Sequence, residues 1–317
     1  MSNHWQGFAD FCRLDKLSGG PDSHMATIVH LAETLSQEQK TWLVGLYANV
    51  YNVPMALVLF EKFPFKESAK EMRPWIIDNW SNIVLRRERR KPMMNNPNRL
   101  ADSIEDYARW SSSPSNLSAS YDKLWASSES IRYFGRYAKM KLFEALRRVG
   151  TIEVMIPDLR AKGGWSPREG LSLLIPEEAP LLNDGGDSSG VVIKIDKLAN
   201  EARARLLSDF DVSLNRYEFQ VLICDYKQVA VTQRQYPGRS VDSELTYYDE
   251  VVKKFPLNQK MFEARKQLFP SWALAEVQGW KGVREELGSV FVKYNYMWSD
   301  QLYNYLETKS LANPVLR

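Results

Sequence analysis

Within the dozen positions from Pro157 to Arg168 the chain gathers a carboxylate (Asp158), three cations (Arg160, Lys162 and Arg168), adjacent glycines (Gly163 and Gly164) and an indole (Trp165). Glycines let a backbone approach a ligand closely, and a carboxylate among cations can accept a proton or stabilise developing charge. Asp158 is thus a candidate base, Lys162 a candidate charge stabiliser and Trp165 a candidate stacking surface; a surface loop held by its own ion pairs is the competing reading. His24 is a second candidate proton carrier, or else a ring at the edge of a core.

Arg86-Arg87-Glu88-Arg89-Arg90-Lys91 is the densest charge run. Read as a helix, it spreads its side chains around most of the circumference. Only a subset, such as Arg86 with Arg90 or Arg87 with Lys91, could then clamp one phosphate. A solvated helix end whose cations favour the negative dipole explains the run equally well. Between Ile131 and Lys141, a turn at Gly135 opens a helix whose first residues are basic, Arg136 and Lys139 among them. This resembles the second half of a helix-hairpin-helix, in which backbone N–H groups bind a DNA phosphate. Tyr133 stands where the second glycine of such a hairpin usually lies. Asp158 follows Gly135 by 23 residues, a spacing similar to that between hairpin glycine and catalytic aspartate in helix-hairpin-helix DNA glycosylases. An ordinary helix junction is the alternative. Arg234 to Arg239, built on Pro237-Gly238, is a further basic turn that either closes over the same pocket or joins two helices.

Ser18-Gly19-Gly20-Pro21-Asp22-Ser23 resembles the phosphate loop of the ATP-pyrophosphatase family. That loop needs a buried strand before it, and Phe11 to Leu17 is charged and broken where such a strand should be continuously apolar. A Gly-Pro turn with Asp22 capping the next helix accounts for the same residues.

The elements that must carry these groups read as helices. Met25, Ile28, Val29, Ala32 and Leu35 share one face, and Ser36 with Gln39 forms a capping box before a helix bearing Trp42, Leu43, Leu46, Tyr47, Val50 and Tyr51. Further helices are expected from Pro54 to Lys62, Trp75 to Arg90, Asn98 to Trp110, Ile131 to Val149, Leu198 to Phe210, Tyr217 to Tyr226, Ser243 to Phe255 and Gln259 to Leu268. Thr151 to Gly190 reads as one long irregular segment, because Gly, Pro and Asp recur in it. Val191 to Ile195 and Gln220 to Cys224 have strand-like composition, but two short strands build no sheet core. The fold class is mainly α, with residues 1–190 as a DNA-binding and catalytic region and 191–317 packing on it, or the two forming one continuous domain.

The 317 residues carry a net charge of +3. Arg73 to Arg148 alone holds about +7, leaving about −4 elsewhere, so the attraction for a polyanion is local. Cys12 and Cys224 have no metal-ligand spacing around them and read as reduced core thiols. No run of eighteen apolar residues and no signal-like amino terminus occur, so a cytoplasmic protein is expected.

Taken in order, Gly19-Gly20-Pro21-Asp22-Ser23-His24, Tyr51-Asn52-Val53-Pro54, Arg86 to Arg90, Phe134-Gly135-Arg136-Tyr137 and Tyr236-Pro237-Gly238-Arg239 resemble the phage amino acid:DNA transferases. These are also called α-glutamyl/putrescinyl thymine pyrophosphorylases. The resemblance implies a helical architecture related to helix-hairpin-helix DNA glycosylases and a role in thymine hypermodification within an infected bacterial host. A separate kinase pyrophosphorylates 5-hydroxymethyl-uracil in DNA, and the transferase replaces pyrophosphate with an amine from an amino acid or polyamine. This chain has no GxxxxGK[ST] loop, so it is not that kinase. The reaction would draw on Asp158 or His24 for the amine proton and on Lys162 beside them. Arg86, Arg87, Arg90, Gly135, Arg136, Lys139, Arg160 and Arg239 would hold DNA and pyrophosphate, and Tyr51, Tyr137 and Trp165 would hold a displaced base. No metal site is read from the residues, although a divalent ion often accompanies pyrophosphate. A glycosylase acting on modified bases and a non-catalytic DNA-binding module are the alternatives.

Overall fold

The computed structural model describes residues 4–17, 22–86, 95–159, 161–232 and 239–255. Among them the chain forms α1 (His4–Leu17), α2 (Ser23–Ala32), α3 (Gln37–Val50), α4 (Val53–Lys62), α5 (Ala69–Asp78), α6 (Pro97–Ser111), α7 (Pro114–Leu117) and α8 (Tyr121–Ser127). There follow α9 (Arg136–Arg148), α10 (Trp165–Leu174), α11 (Ala179–Asp184), α12 (Ser189–Phe210), α13 (Arg216–Lys227) and α14 (Arg239–Val252). No strand occurs among the described residues, and the chain is mainly α, as its periodicity predicts. These residues divide into two compact units.

The α3-centred unit takes the described residues of 23–155 and those after 242. Its centre is α3, in which every residue from Thr41 to Val50 is buried. Such a helix is surrounded rather than laid on a surface, and α4, α6 and α9 all pack on it. The capping box forms as its sequence predicts, Ser36 Oγ accepting from Gln39 N and Gln39 Oε1 from Ser36 N. Gly45 makes the crossing with α6 possible, because a Cβ there would lie 1.8 Å from Tyr107. The Tyr107 hydroxyl donates to Thr41 O at 2.7 Å and so locks that crossing. At the far end of this unit Phe255 packs on Trp75, with ring centres 5.8 Å apart.

The long-helix unit takes the described residues up to Asp22 and those of 156–242. Trp5, Phe8 and Phe11 of α1 join Leu171 and Leu174 of α10, Leu206 of α12, and Phe219 and Leu222 of α13 in one apolar core. Asp22 has a left-handed backbone (φ 62°), and its carboxylate accepts the Tyr217 hydroxyl.

Three expectations need correction. The segment from 151 to 190 is irregular only as far as Gly164, after which α10 and α11 form. Pro167 falls in the first turn of α10, where no N–H partner is required. Gly170 is a contact rather than a break, since a Cβ there would meet the Ile223 carbonyl oxygen at 2.4 Å. Val191 to Ile195 and Gln220 to Cys224 belong to α12 and α13; Gln220 to Ile223 are buried, whereas in the first run Ile195 is buried and Ile193 is exposed. The helix expected from Trp75 to Arg90 ends at Asp78, where the Asn79 side chain donates back to Trp75 O at 2.9 Å. A short 3-10 turn follows, and residues 83–86 are not helical. The helix expected from Gln259 to Leu268 lies outside the described residues.

Candidate active site

The last turn of α3 creates an unusual position. Tyr51 ends the helix in the left-handed region (φ 52°, ψ 36°), its N–H still donating to Tyr47 O. Asn52 immediately caps α4 by accepting from Met55 N at 3.1 Å, and Pro54 pre-sets that helix's first turn. A left-handed residue other than glycine costs about 1–2 kcal/mol and persists only where surrounding contacts fix it. Those contacts are aromatic and cationic. The buried Tyr51 ring stacks on Tyr47 with centres 5.4 Å apart, and its hydroxyl hydrogen-bonds the Tyr137 hydroxyl at 3.0 Å.

Arg86 reaches this cluster from residues 83–86, pinned by its backbone N–H donating to Val50 O at 3.2 Å. Its guanidinium carbon stands 5.3 Å from the centre of the Tyr51 ring, within cation–π range. Its Nη1 lies 3.0 Å from His24 Nε2. An arginine only donates, so Nε2 accepts and the imidazole carries its proton on Nδ1. His24 is buried near the start of α2, its ring centre 6.3 Å from that of Tyr51. Tyr51 is therefore bordered by His24, Arg86 and Tyr137, from three separate parts of the chain.

Tyr137 belongs to the first turn of α9. Gly135 is the residue before that helix, with an ordinary extended backbone, no side-chain cap and open space where a Cβ would be. Two residues earlier Tyr133 is left-handed at φ 66°. The turn is tied to α6 through Arg132, whose backbone N–H and guanidinium both donate to Asp106. Ser103 Oγ adds a bond to Arg132 O at 2.9 Å, and the Arg132 guanidinium also pairs with Asp102. Below Tyr137, the fully buried Lys141 holds its ammonium 5.2 Å from the Tyr137 ring centre.

A model of the amino acid:DNA transferase family matches residues 19–236 of the chain. The chain belongs to this family. No curated protein and no solved structure matches it.

Of the motifs that suggested such a transferase from sequence, four contribute residues to the α3-centred unit, and His24, Tyr51, Arg86 and Tyr137 from them form the cluster above. Arg136 is half-buried at the start of α9. Lys139 faces inward, its ammonium 3.4 Å from Trp125 O and 3.6 Å from Glu129. Burial pulls its pKa below the usual lysine range, with Glu129 opposing. Arg87, Arg90 and Arg160 lie outside the described residues, and Arg239 opens α14 with a side chain also outside them.

Asp158, Lys162 and Trp165 belong to the long-helix unit. Asp158 is half-buried, Lys162 is exposed, and Trp165, at 49 % exposure, opens α10 with the Arg168 guanidinium 5.2 Å from its ring centre. Arg168 itself is fully buried and donates to Ala161 O, Gly186 O and Asp187. The left-handed Gly163 donates its N–H to both Asp187 oxygens at 3.1 Å. The 161–164 loop is thus clamped from two sides. Among the described residues no group of three His, Cys, Asp or Glu side chains is arranged to hold a metal ion.

Sequence reasoning passed over Tyr47, Lys141, Asp106 and the burial of Arg168. The signal available for the first two was spacing, since Tyr47 lies four residues before Tyr51 and Lys141 four after Tyr137, which is one helical turn.

Proposed function

We propose that this amino acid:DNA transferase joins an amine to the methylene carbon of pyrophosphorylated 5-hydroxymethyl-uracil in DNA and expels pyrophosphate. The observation that carries the reading is the convergence of His24, Tyr51, Arg86 and Tyr137 on one another. The reaction needs a cation aimed at the leaving group, aromatic surface for a base out of the stack, and an acceptor for the amine's proton. Arg86 supplies the cation, Tyr51 and Tyr137 the aromatic surface, and His24 the acceptor. In the long-helix unit, Asp158, Lys162 and Trp165 are a second group with the same three chemistries, and Asp158 is the alternative proton acceptor.

DNA is held, on this reading, by the turn from Ile131 to Gly135, which acts as a helix-hairpin-helix-like element. Its left-handed Tyr133 occupies the place of a glycine, and the uncapped start of α9 offers backbone N–H groups to a phosphate. Arg136 adds charge at that end and Lys139 braces the turn from within; Arg87, Arg90, Arg160 and Arg239 are further cations for DNA and pyrophosphate on this reading. A divalent ion would arrive with pyrophosphate. No helix among the described residues is long and apolar enough to cross a membrane, and we assign the reaction to the cytoplasm of a phage-infected bacterium.

The test is to incubate the pure protein with pyrophosphorylated DNA and a panel of amino acids and polyamines, then digest and analyse nucleosides by mass spectrometry. A new nucleoside equal to base methylene plus amine, with one pyrophosphate released per adduct, is the expected outcome. Abasic sites in its place would make the protein a glycosylase. Salt-sensitive binding with no product would make it a binding module.

A further inference from the structure

Resting on that transferase reading, we infer that Arg86 and His24 form an exchange pair: arrival of the pyrophosphate group takes Arg86 off His24 Nε2, and the vacated nitrogen then accepts the proton of the attacking amine.

Three observations carry it. The Arg86 Nη1 to His24 Nε2 hydrogen bond, at 3.0 Å, fixes the imidazole as neutral with its proton on Nδ1. A neutral imidazole is the form that can act as a base, and Nε2 is the nitrogen with the lone pair. Second, the two partners differ in exposure: His24 is 4 % exposed, whereas Arg86 is only half-buried. An anion reaching the surface therefore meets the guanidinium before the imidazole. Third, the Arg86 backbone is anchored by its N–H bond to Val50 O, and the guanidinium lies against the Tyr51 ring. It can turn toward a phosphate without leaving the cluster. A bond from a cation to a dianionic phosphate is stronger than one to a neutral imidazole nitrogen, so the exchange runs toward phosphate.

The step balances without another reactant. The amine nitrogen bonds to the base methylene carbon, the C–O bond to pyrophosphate breaks, and its electron pair leaves with pyrophosphate, whose charge Arg86 meets. The ammonium formed at nitrogen passes one proton to His24 Nε2. Among the described residues, Tyr51, Tyr137 and, beyond Tyr137, Lys141 are ionisable groups of the same cluster. The device makes the base available only when a leaving group is in place, so unmodified thymine does not trigger it.

Two measurements test the pair. The chain has three histidines, His4, His24 and His30, so nitrogen-15 histidine spectra are simple and His24→Gln assigns the signal. Titrating inorganic pyrophosphate alone should shift His24 Nε2 strongly, and Arg86→Met should abolish the response. A His24 signal that stays unmoved through the titration overturns the exchange. The second measurement is single-turnover transfer. His24→Gln keeps a carbonyl oxygen for Arg86 but cannot take up a proton. Transfer at neutral pH should fall at least about 100-fold, binding of pyrophosphorylated DNA should change less than about threefold, and the rate defect should shrink as rising pH lets hydroxide take the proton in place of His24. An unchanged rate, or a defect independent of pH, overturns the proton role. If the unmodified protein transfers no amine, it is the transferase reading that fails, and the spectra still report on the pair.

Discussion

Asp106 of α6 accepts both the backbone N–H and the guanidinium of Arg132, so one carboxylate holds the turn that leads into α9. Burial pushes its carboxyl pKa up, but the bonds from Arg132 outweigh this and leave it below the ordinary aspartate value. A depressed folded-state pKa stabilises at pH above the unfolded value, near 4, and the contribution is lost as pH falls through the lower folded value. Asp106→Asn should cost roughly 2–4 kcal/mol at pH 7 and flatten the loss of stability as pH falls below about 4. Urea unfolding at a series of pH values checks this; a variant with an unaltered acid limb would remove Asp106 as the anchor.

The Tyr51 and Tyr137 hydroxyls face each other at 3.0 Å. Tyr51→Phe and Tyr137→Phe should each destabilise by about 1 kcal/mol. The double variant should lose less than the sum of the two, with a coupling of about 0.5–1.5 kcal/mol. Strict additivity in thermal unfolding would mean that the hydroxyls do not interact.

Gly135 separates fold from function. Its backbone suits any residue, and a Cβ would enter open space, so Gly135→Ala should alter stability by less than about 0.5 kcal/mol. If the start of α9 receives a DNA phosphate, the added methyl blocks the approach and DNA affinity falls. Fluorescence anisotropy at low salt measures it, and wild-type affinity would mean that DNA does not approach there.

Gly170 predicts the reverse. Alanine there would collide with the Ile223 carbonyl and force α10 away from α13, costing about 1–3 kcal/mol. Calorimetry reads the loss directly, and an unshifted melting temperature would mean that the two helices are not so closely packed.

Arg168 is fully buried, with bonds to two carbonyl oxygens and Asp187. Arg168→Met removes the guanidinium and strands those partners, for an expected loss of about 3–5 kcal/mol. Limited proteolysis should then cut between 161 and 187 first; an uncut loop would contradict the clamp.

The helices whose apolar residues repeat on one face were legible in the sequence, and so was the Ser36 to Gln39 box, because both signals are local. What was not legible depends on partners far along the chain. Pro167 and Gly170 read as breakers until Pro167 is placed in a first turn and Gly170 against Ile223. The run beginning at Arg86 read as a helix, yet Arg86 is drawn out of one by the Val50 carbonyl. His24, Tyr51, Arg86 and Tyr137 were each named as candidates. That they touch one another could not be read from spacings of 27, 35 and 51 residues. A search along the chain also cannot find units built from separated stretches.

The family match begins at residue 19, but α1 lies before it and lends Trp5, Phe8 and Phe11 to a shared core, Phe8 and Phe11 packing on Tyr226. Trimming the protein to the homologous segment would strip three aromatic side chains, on the order of 5 kcal/mol of burial, from helices that cannot replace them. The stretch that the family model matches is thus shorter than the stretch from which this core is built, and its boundaries are a poor guide to where the chain can be cut.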